Sequence, residues 1–200
     1  SFLHEKGFKY GKRTFKMFAF SRLMGRYSIQ KNNQKIVFQS PISLIVSSPY
    51  DEFCNSLANG LILKKKVRLW KTDVVASQIT LDKETVEDNE IIIKTLSPIV
   101  VYSTLLKPDG SKYTCYFQPG ENEHNEILAN NIRKKYTAFY NSEPPEGKIE
   151  LRPLRQAKLS VVSYKGTVIK GYSGKFIMTG PKPLLQMAID CGIGSKNSQG

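Results

Sequence analysis

The chain has 200 residues, of which 40% are hydrophobic, enough for one ordinary domain or two small ones. No apolar run approaches the ~20 residues that span a bilayer, so a soluble protein is expected. Its three cysteines lie far apart and fit neither a zinc site nor a disulfide framework, which favours a reducing cytoplasm.

The net charge of +13 is concentrated in two segments. Residues 1–31 carry eight basic side chains and one acidic one, and residues 148–175 carry seven basic and one acidic. These segments account for the whole surplus, which indicates one or two surfaces for a polyanion. A nucleic acid is the leading partner. An anionic membrane surface is less favoured, because neither segment has the pattern of an amphipathic basic helix.

The first part of the chain predicts strands around one helix. Residues 13–23 alternate in polarity and predict a single strand, and further strands are expected in 35–47 and 67–81. One face of the first strand would carry Phe15, Met17, Ala19 and Ser21. Ser48 as N-cap and Pro49 at the next position predict a helix start. Its inner face would carry Phe53, Leu57 and Leu61.

After an acidic linker at 82–90, the second part predicts a strand, a helix, further strands and a last helix. The helices are expected at 121–140 and 181–190, with Gly192 as the C-cap glycine of the second. Lys107 to Gly110 predicts a turn, and residues 149–178 predict strands and a long hairpin that turns near Lys165.

This order of elements predicts an α+β fold of two tandem ferredoxin-like (split βαβ) modules. The first would lack its initial strand and most of its first helix. The expected domains are residues 1–85, which contain the first basic segment, and residues 90–200, which contain the long hairpin and a glycine-rich loop.

The two histidines receive different interpretations. His124 stands among three glutamates in the first turn of a helix, which predicts a solvated surface histidine. His4 precedes the most basic segment, where aromatic residues alternate with cations, as suits stacked bases and paired phosphates of single-stranded RNA. A histidine beside lysines can transfer protons in metal-independent RNA cleavage, although a capping histidine after a helix explains His4 equally well.

The glycine-rich end of the chain, residues 191–200, is a further candidate RNA contact. Glycines allow close backbone approach, and backbone N–H groups of such a loop can bind phosphate. On this interpretation a β-carbon at Gly194 should impair RNA binding and leave the fold largely intact. The alternative is a structural turn that packs the last helix.

The sequence resembles a known family in five places. They are the Leu3–Glu5, Phe15–Ser21, Val67–Trp70, Thr95–Ile99 and Gly192–Gly200 segments. In order along nearly the whole chain, they are similar to the CRISPR repeat-RNA-processing endoribonucleases, the Cas6 family of the RAMP superfamily. Two departures indicate truncation at both ends: the usual first strand and helix, which can carry a third catalytic side chain, are missing, and the chain stops inside the glycine-rich motif.

The resemblance implies metal-independent cleavage of CRISPR repeat RNA, which leaves a 2′,3′-cyclic phosphate and a 5′-hydroxyl. It implies His4 as the catalytic histidine and Lys16 as the supporting lysine. No carboxylate pair or Cys/His cluster is present, so neither a metal nor a cofactor is expected. The implied partners are precursor and processed guide RNA, with a CRISPR effector complex and a homodimer left open.

The candidate RNA-binding residues form three groups. The first follows His4 and comprises Lys9, Lys12, Arg13 and Arg22. The second belongs to the basic segment near the hairpin and comprises Arg152, Arg155, Lys158, Lys165, Lys170 and Lys175. The third belongs to the glycine-rich loop and comprises Gly192, Gly194, Lys196, Asn197 and Ser198.

Two alternatives to the enzyme remain. The same fold could hold RNA without cutting it, as a subunit of a CRISPR effector complex. An RNA-binding protein of an unrelated family is disfavoured, because the chain has no aromatic motif of the RNP type.

Overall fold

The computed structural model describes residues 7–33, 35–64, 66–69, 71–164 and 166–195, and the structural findings concern these residues. They form an α+β fold. The α-helices are α1 (Asp51–Leu63), α2 (Asn122–Tyr140) and α3 (Lys182–Cys191). No helix in this part of the chain combines the length and apolarity needed to span a bilayer.

The strands before α1 are short and pair as antiparallel ribbons. They are β1 (Phe8–Tyr10), β2 (Arg13–Phe15), β3 (Ala19–Phe20), β4 (Tyr27–Gln30), β5 (Lys35–Phe38) and β6 (Val46–Ser47). Their pairs are β1–β2, β3–β6 and β4–β5. After α1, the ribbon β7–β8 (Val67–Leu69 and Thr72–Val74) completes the first part of the chain.

The strands of the second part build one sheet and two hairpins. They are β9 (Glu90–Lys94), β10 (Tyr102–Leu106), β11 (Lys112–Tyr116), β12 (Glu150–Pro153), β13 (Lys158–Tyr164), β14 (Thr167–Ser173) and β15 (Lys175–Thr179). The sheet has the order β12–β15–β9, with every pair antiparallel. The hairpins are β10–β11 and β13–β14.

The second part follows the plan of a split βαβ unit. Strand β9, helix α2, strands β12 and β15 and helix α3 follow one another along the chain, and the two hairpins are insertions between them. One face of the sheet carries Leu151, Phe176 and Met178, which are fully buried. The two helices cover this face, and their contribution to the core includes Leu128, Ile132, Leu184 and Leu185.

The predicted single strand at 13–23 is wrong. The strand is interrupted between β2 and β3, where Met17 has a left-handed φ of 50°. The Met17 side chain lies in the core, with its sulfur 3.6 Å from Cys191 Sγ. The Ser48 hydroxyl donates to the Met17 carbonyl at 2.7 Å. Of the four residues that the alternation placed on one face, Phe15, Met17 and Ser21 are buried and Ala19 is half-buried.

Two further predictions needed correction. Helix α1 has Tyr50 as its N-cap, two residues after the predicted Ser48, because the Ser48 hydroxyl is occupied by the Met17 carbonyl and the Tyr50 N–H. The expected strand at 67–81 is the ribbon β7–β8 followed by irregular chain. The predicted helices at 121–140 and 181–190 are confirmed to within one residue at each end.

Candidate nucleic-acid interface

A small cavity lies where the first part of the chain meets the helices of the second part. Its volume is about 100 Å³. Residues 13–18 form one side, and α2, the end of α3 and the start of the glycine-rich loop form the other. The lining residues described here include three basic side chains and no carboxylate, which suits an anion. They include Arg13, Lys16, Asn131, Lys135, Cys191, Gly194 and Ser195.

Lys16 lines this cavity directly beside Met17, where the strand is interrupted. All residues from Arg13 to Phe18 line the cavity, those of β2 included, and Lys16 is half-buried there. The left-handed backbone at Met17 therefore lies within the wall of the cavity. The predicted catalytic lysine and the predicted glycine-rich loop therefore share one site.

Lys135 is the buried cation of the site. It lies on α2 and is only 5% exposed, and its Nζ donates to the carbonyl oxygens of Gly192 at 2.8 Å and Gly194 at 3.2 Å. Burial lowers the pKa of Lys135 to about 8, and nearby Arg13 acts in the same direction. The two carbonyls follow the end of α3, where the helix dipole also favours a cation.

The described start of the glycine-rich loop is packed against the fold. Gly192 is the C-cap of α3, with φ of 75°, as predicted. Gly194 has φ of 106°, and an added β-carbon would lie 2.7 Å from the carbonyl oxygen of Val100. The Ser195 N–H donates to that same oxygen at 2.9 Å. The expectation that a side chain at Gly194 would spare the fold is therefore wrong, because this glycine is a packing position.

Residues 95–100, which lie within or directly after one of the family-like motifs, hold several parts of the site together. Backbone bonds join Thr95 to Gly174 (3.0 Å) and Ile99 to Tyr172 in both directions (2.8 and 2.9 Å), at the base of the β13–β14 hairpin. The Arg22 N–H donates to Leu96 at 3.2 Å. With the Val100–Ser195 bond, this segment connects the first part of the chain, the hairpin and the glycine-rich loop.

The cations of the β13–β14 hairpin do not form a single face. In its register Lys158 lies opposite Ser173, and Val161 lies opposite Lys170. Because side chains alternate along a strand, Lys158 and Lys170 project from opposite faces of the hairpin. Both are exposed, so both stay available to a polyanion, but one flat surface cannot contact them together.

Three cations lie on the outer face of the sheet β12–β15–β9, whereas Glu150 and Glu90, which both lie opposite Thr179, are on the same face toward its other end. Lys175 lies directly opposite Lys94, and Arg152 lies opposite Ile177 on the same face. All three cations are exposed. Like charges directly opposite each other repel, so an anion bound between them would be stabilising. The sequence suggested Arg152 and Lys175 but missed Lys94, whose partner strand becomes known only from the register.

Of the remaining predicted residues, four are exposed cations and five lie outside the described residues. Lys9 and Lys12 are exposed on and after β1, Arg22 is exposed after β3, and Arg155 is exposed after β12. The positions His4, Lys165, Lys196, Asn197 and Ser198 lie outside the described residues.

His124 is not the surface histidine that its acidic neighbours predicted. It is 1% exposed in the first turn of α2, and burial lowers its pKa. Smaller effects of Asn125 and Glu121 act in the opposite direction. Its Nδ1 has no hydrogen-bond partner among the described residues, so the ring is a core group and is not part of the cavity.

Sequence reasoning missed Asn131 and Lys135. They stand one turn apart on α2, beside the apolar stripe of Leu128, Ile132 and Tyr136, and both are 5% exposed. The Asn131 Oδ1 has no hydrogen-bond partner in the described part of the chain. The signal was present in the helical spacing, since a residue three positions after Leu128 or Ile132 lies on nearly the same face.

Two family models match the chain. Residues 79–200 match the model described as CRISPR associated protein Cas6, C-terminal, and residues 6–80 match CRISPR-associated protein Cas6, N-terminal. The chain is 28% identical over 186 residues to CRISPR-associated endoribonuclease Cas6 1 of Methanocaldococcus jannaschii, which covers 93% of this chain and 72% of the relative.

Solved structures have the same fold. One, from work titled "Characterization of a Cas6-related gene from Pyrococcus furiosus", has a TM-score of 0.81 and 21% identity. The match covers 92% of this chain and 75% of the chain in that structure. Another, titled "An RAMP protein binding different RNA substrates", has a TM-score of 0.78 and 20% identity, and covers 92% and 76%. The expected tandem ferredoxin-like architecture agrees with these neighbours.

Proposed function

Because the chain belongs to the Cas6 family of CRISPR-associated proteins, we propose that it is an endoribonuclease that processes CRISPR repeat RNA. One observation carries this proposal: the cavity brings Lys16 together with the start of the glycine-rich loop, among basic side chains. The relative from Methanocaldococcus jannaschii, named an endoribonuclease, supports it.

The proposed reaction is metal-independent transesterification. The 2′-hydroxyl of the substrate attacks the adjacent phosphorus, its proton goes to a base, and a 2′ O–P bond forms. The P–O5′ bond breaks, and the 5′-oxygen takes a proton to become a hydroxyl. The products are a 2′,3′-cyclic phosphate and a 5′-hydroxyl, and water does not enter this step.

The two proposed catalytic residues have separate roles. His4 transfers a proton, since an imidazole titrates near neutral pH and serves as base or acid. Lys16 stabilises the additional negative charge of the phosphorane with a positioned cation. The position of Lys16 beside Met17 supports this role, because the buried Met17 side chain fixes the backbone next to Lys16.

The wider proposal follows the family. Residues 1–85 and 90–200 form the two domains, the protein works in the prokaryotic cytoplasm, and its RNA partners are the precursor and the processed guide. Contacts with an effector complex and a second copy of the chain are part of the same proposal.

The test is cleavage of a repeat RNA from the same genome in EDTA. We expect a product with a 2′,3′-cyclic phosphate and a rate for His4→Ala that is lower by about 10²–10⁴-fold, with RNA affinity nearly unchanged. Cleavage that requires a divalent metal, or a fully active His4→Ala variant, would contradict the mechanism.

A second function is an RNA-binding subunit without catalysis. The solved structure whose title describes an RAMP protein that binds different RNA substrates favours it, because its fold matches this chain. Tight binding of repeat RNA by the wild type with no cleavage over hours would select this function over the first.

A further inference from the structure

The buried cation on α2 has contacts that indicate a role beyond packing. Lys135 is 5% exposed, whereas the neighbouring Lys134 is exposed, so the two lysines provide a natural comparison on one helix. Lysine is almost never fully buried without partners, because the ammonium loses its hydration. The described partners of Lys135 are the backbone carbonyls of Gly192 and Gly194.

These partners lie on either side of Ile193, at the exit of α3. The last carbonyls of a helix have no partner within the helix and lie at the negative end of its dipole. An ammonium from another helix therefore fixes the chain where α3 ends. Arginine or glutamine would place donors differently, and an apolar side chain would provide none.

The other side of the same loop is fixed by Val100. Its carbonyl accepts the Ser195 N–H at 2.9 Å and lies too close to Gly194 to admit a β-carbon. The loop is thus held between Lys135 and Val100 before it continues beyond the described residues. Ser195, the last described residue, lines the cavity together with Lys16.

We propose that Lys135 is the positioning residue of the glycine-rich loop: its two hydrogen bonds hold Gly192 and Gly194 so that the loop leaves α3 at the cavity that contains Lys16. This rests on the proposed function, since the positioned element is the one that we expect to contact RNA. Lys135 acts through the loop, because its own ammonium is directed to the carbonyls.

The charged and titratable groups around Lys135 are consistent with this role. Arg13 and Lys16 line the cavity from the first part of the chain, and Cys191 faces it from α3. Burial raises the pKa of the Cys191 thiol to about 12, so this group stays neutral near pH 7. Among the described residues, the carbonyls of Gly192 and Gly194 are therefore the acceptors of the buried ammonium at that pH.

The experiment compares Lys135→Met with Lys134→Met, which removes the same charge from the adjacent exposed position. Both are assayed well below their melting temperatures for repeat-RNA affinity and for single-turnover cleavage at saturating RNA. Hydrogen exchange of the Gly194 and Ser195 amides is measured without RNA. For Lys135→Met we expect affinity or rate to fall about 10–100-fold, the loss of a hydrogen bond to a charged group, and exchange at both amides to accelerate.

For Lys134→Met we expect values within about twofold of the wild type, as for surface substitutions. A folded Lys135→Met variant with wild-type affinity, rate and exchange would overturn the proposal.

If Lys135→Met does not fold, Lys135→Arg, which keeps the charge, is measured in its place. If Lys135→Arg shows faster amide exchange and impaired cleavage, the result supports Lys135 as the positioning residue. If it shows faster amide exchange and unchanged cleavage, the result overturns the proposal. A wild type that neither binds nor cleaves repeat RNA contradicts the proposed function instead, and the exchange data still report on the loop.

Discussion

The Gly194 backbone lies so close to Val100 that a β-carbon on the glycine would be 2.7 Å from the valine carbonyl oxygen. We expect Gly194→Ala to lower the free energy of unfolding by more than Gly120→Ala. Gly120 has the same φ of 106° but no atom within 4 Å of the added carbon, so it isolates the backbone strain of about 1–3 kcal/mol. Urea unfolding of the two variants measures the difference. Equal losses would show that the contact with Val100 has no energetic consequence.

Lys16→Ala should slow the chemical step. Removing one positioned group that stabilises transition-state charge costs about 10²–10³-fold, so a loss of that order is expected in single-turnover rate at saturating RNA. Lys12→Ala removes the same charge from the exposed turn after β1 and should affect affinity at most. If Lys16→Ala changes only affinity, Lys16 is a binding residue.

The outer face of the sheet should contribute to the salt dependence of RNA binding. A triple Lys94→Ala, Arg152→Ala, Lys175→Ala variant should bind more weakly. Its slope of log affinity against log salt should be shallower by up to about 2, because each phosphate of a single strand that is no longer neutralised reduces the slope by about 0.7. A control triple variant at Lys64, Lys83 and Lys107 removes the same charge from exposed positions outside this sheet. Identical slopes for the two triple variants would exclude the outer face as a specific RNA-binding surface.

The stability contribution of Lys135 should rise with pH above about 8. The folded pKa is about 8 and the ordinary value is 10.5, so the unfolded chain holds more protons between these values, and stability then increases with pH. The free energy of unfolding of the wild type minus that of Lys135→Met should increase from pH 8 to pH 10, by at most about 1.4 kcal/mol per pH unit. The Cys191 thiol of the unfolded chain titrates in both the wild type and Lys135→Met, so its contribution cancels in the difference between their free energies of unfolding. A difference that is flat or falls with pH would contradict the buried ammonium.

His124 should make the protein sensitive to acid. Burial lowers its folded pKa below the ordinary 6.5, so the unfolded state binds the proton first as the pH falls. Its stabilising contribution is complete above pH 6.5 and is lost toward lower pH. Between pH 7 and pH 5 the wild type should therefore lose more stability than His124→Leu, which has no titrating ring. Parallel losses in thermal unfolding would indicate a histidine that is accessible to protons in the folded state.

The sequence pattern correctly predicted the elements whose formation depends on neighbouring residues. The apolar spacing of Leu128, Ile132 and Tyr136 located α2, and the glycine after Cys191 located the end of α3. The alternation placed Phe15, Met17 and Ser21 on one face, and all three are buried, but it could not reveal the left-handed turn at Met17. That turn depends on Ser48 and Cys191, which are distant in sequence.

The parts of the site that were missed depend on distant partners. Lysines are common in the later turns of helices, where they normally contact solvent. Only the packing of α3 against α2 brings the Gly192 carbonyl within reach of Lys135. Glutamates beside His124 suggested a solvated face, but the ring points toward the core. Lys94 became a candidate only through its register with Lys175.

The connections made by residues 95–100 also constrain the order of folding. Each of their bonds, to Arg22, to Tyr172 and Gly174, and to Ser195, closes a long loop of chain, and such contacts form slowly because their entropy cost precedes their energetic gain. The site requires residues from both parts of the chain, and the main core itself includes Phe15 and Met17 from the first part. The site that we expect to bind RNA is therefore completed only after these long-range contacts have formed, later than the helices and hairpins, whose contacts are local.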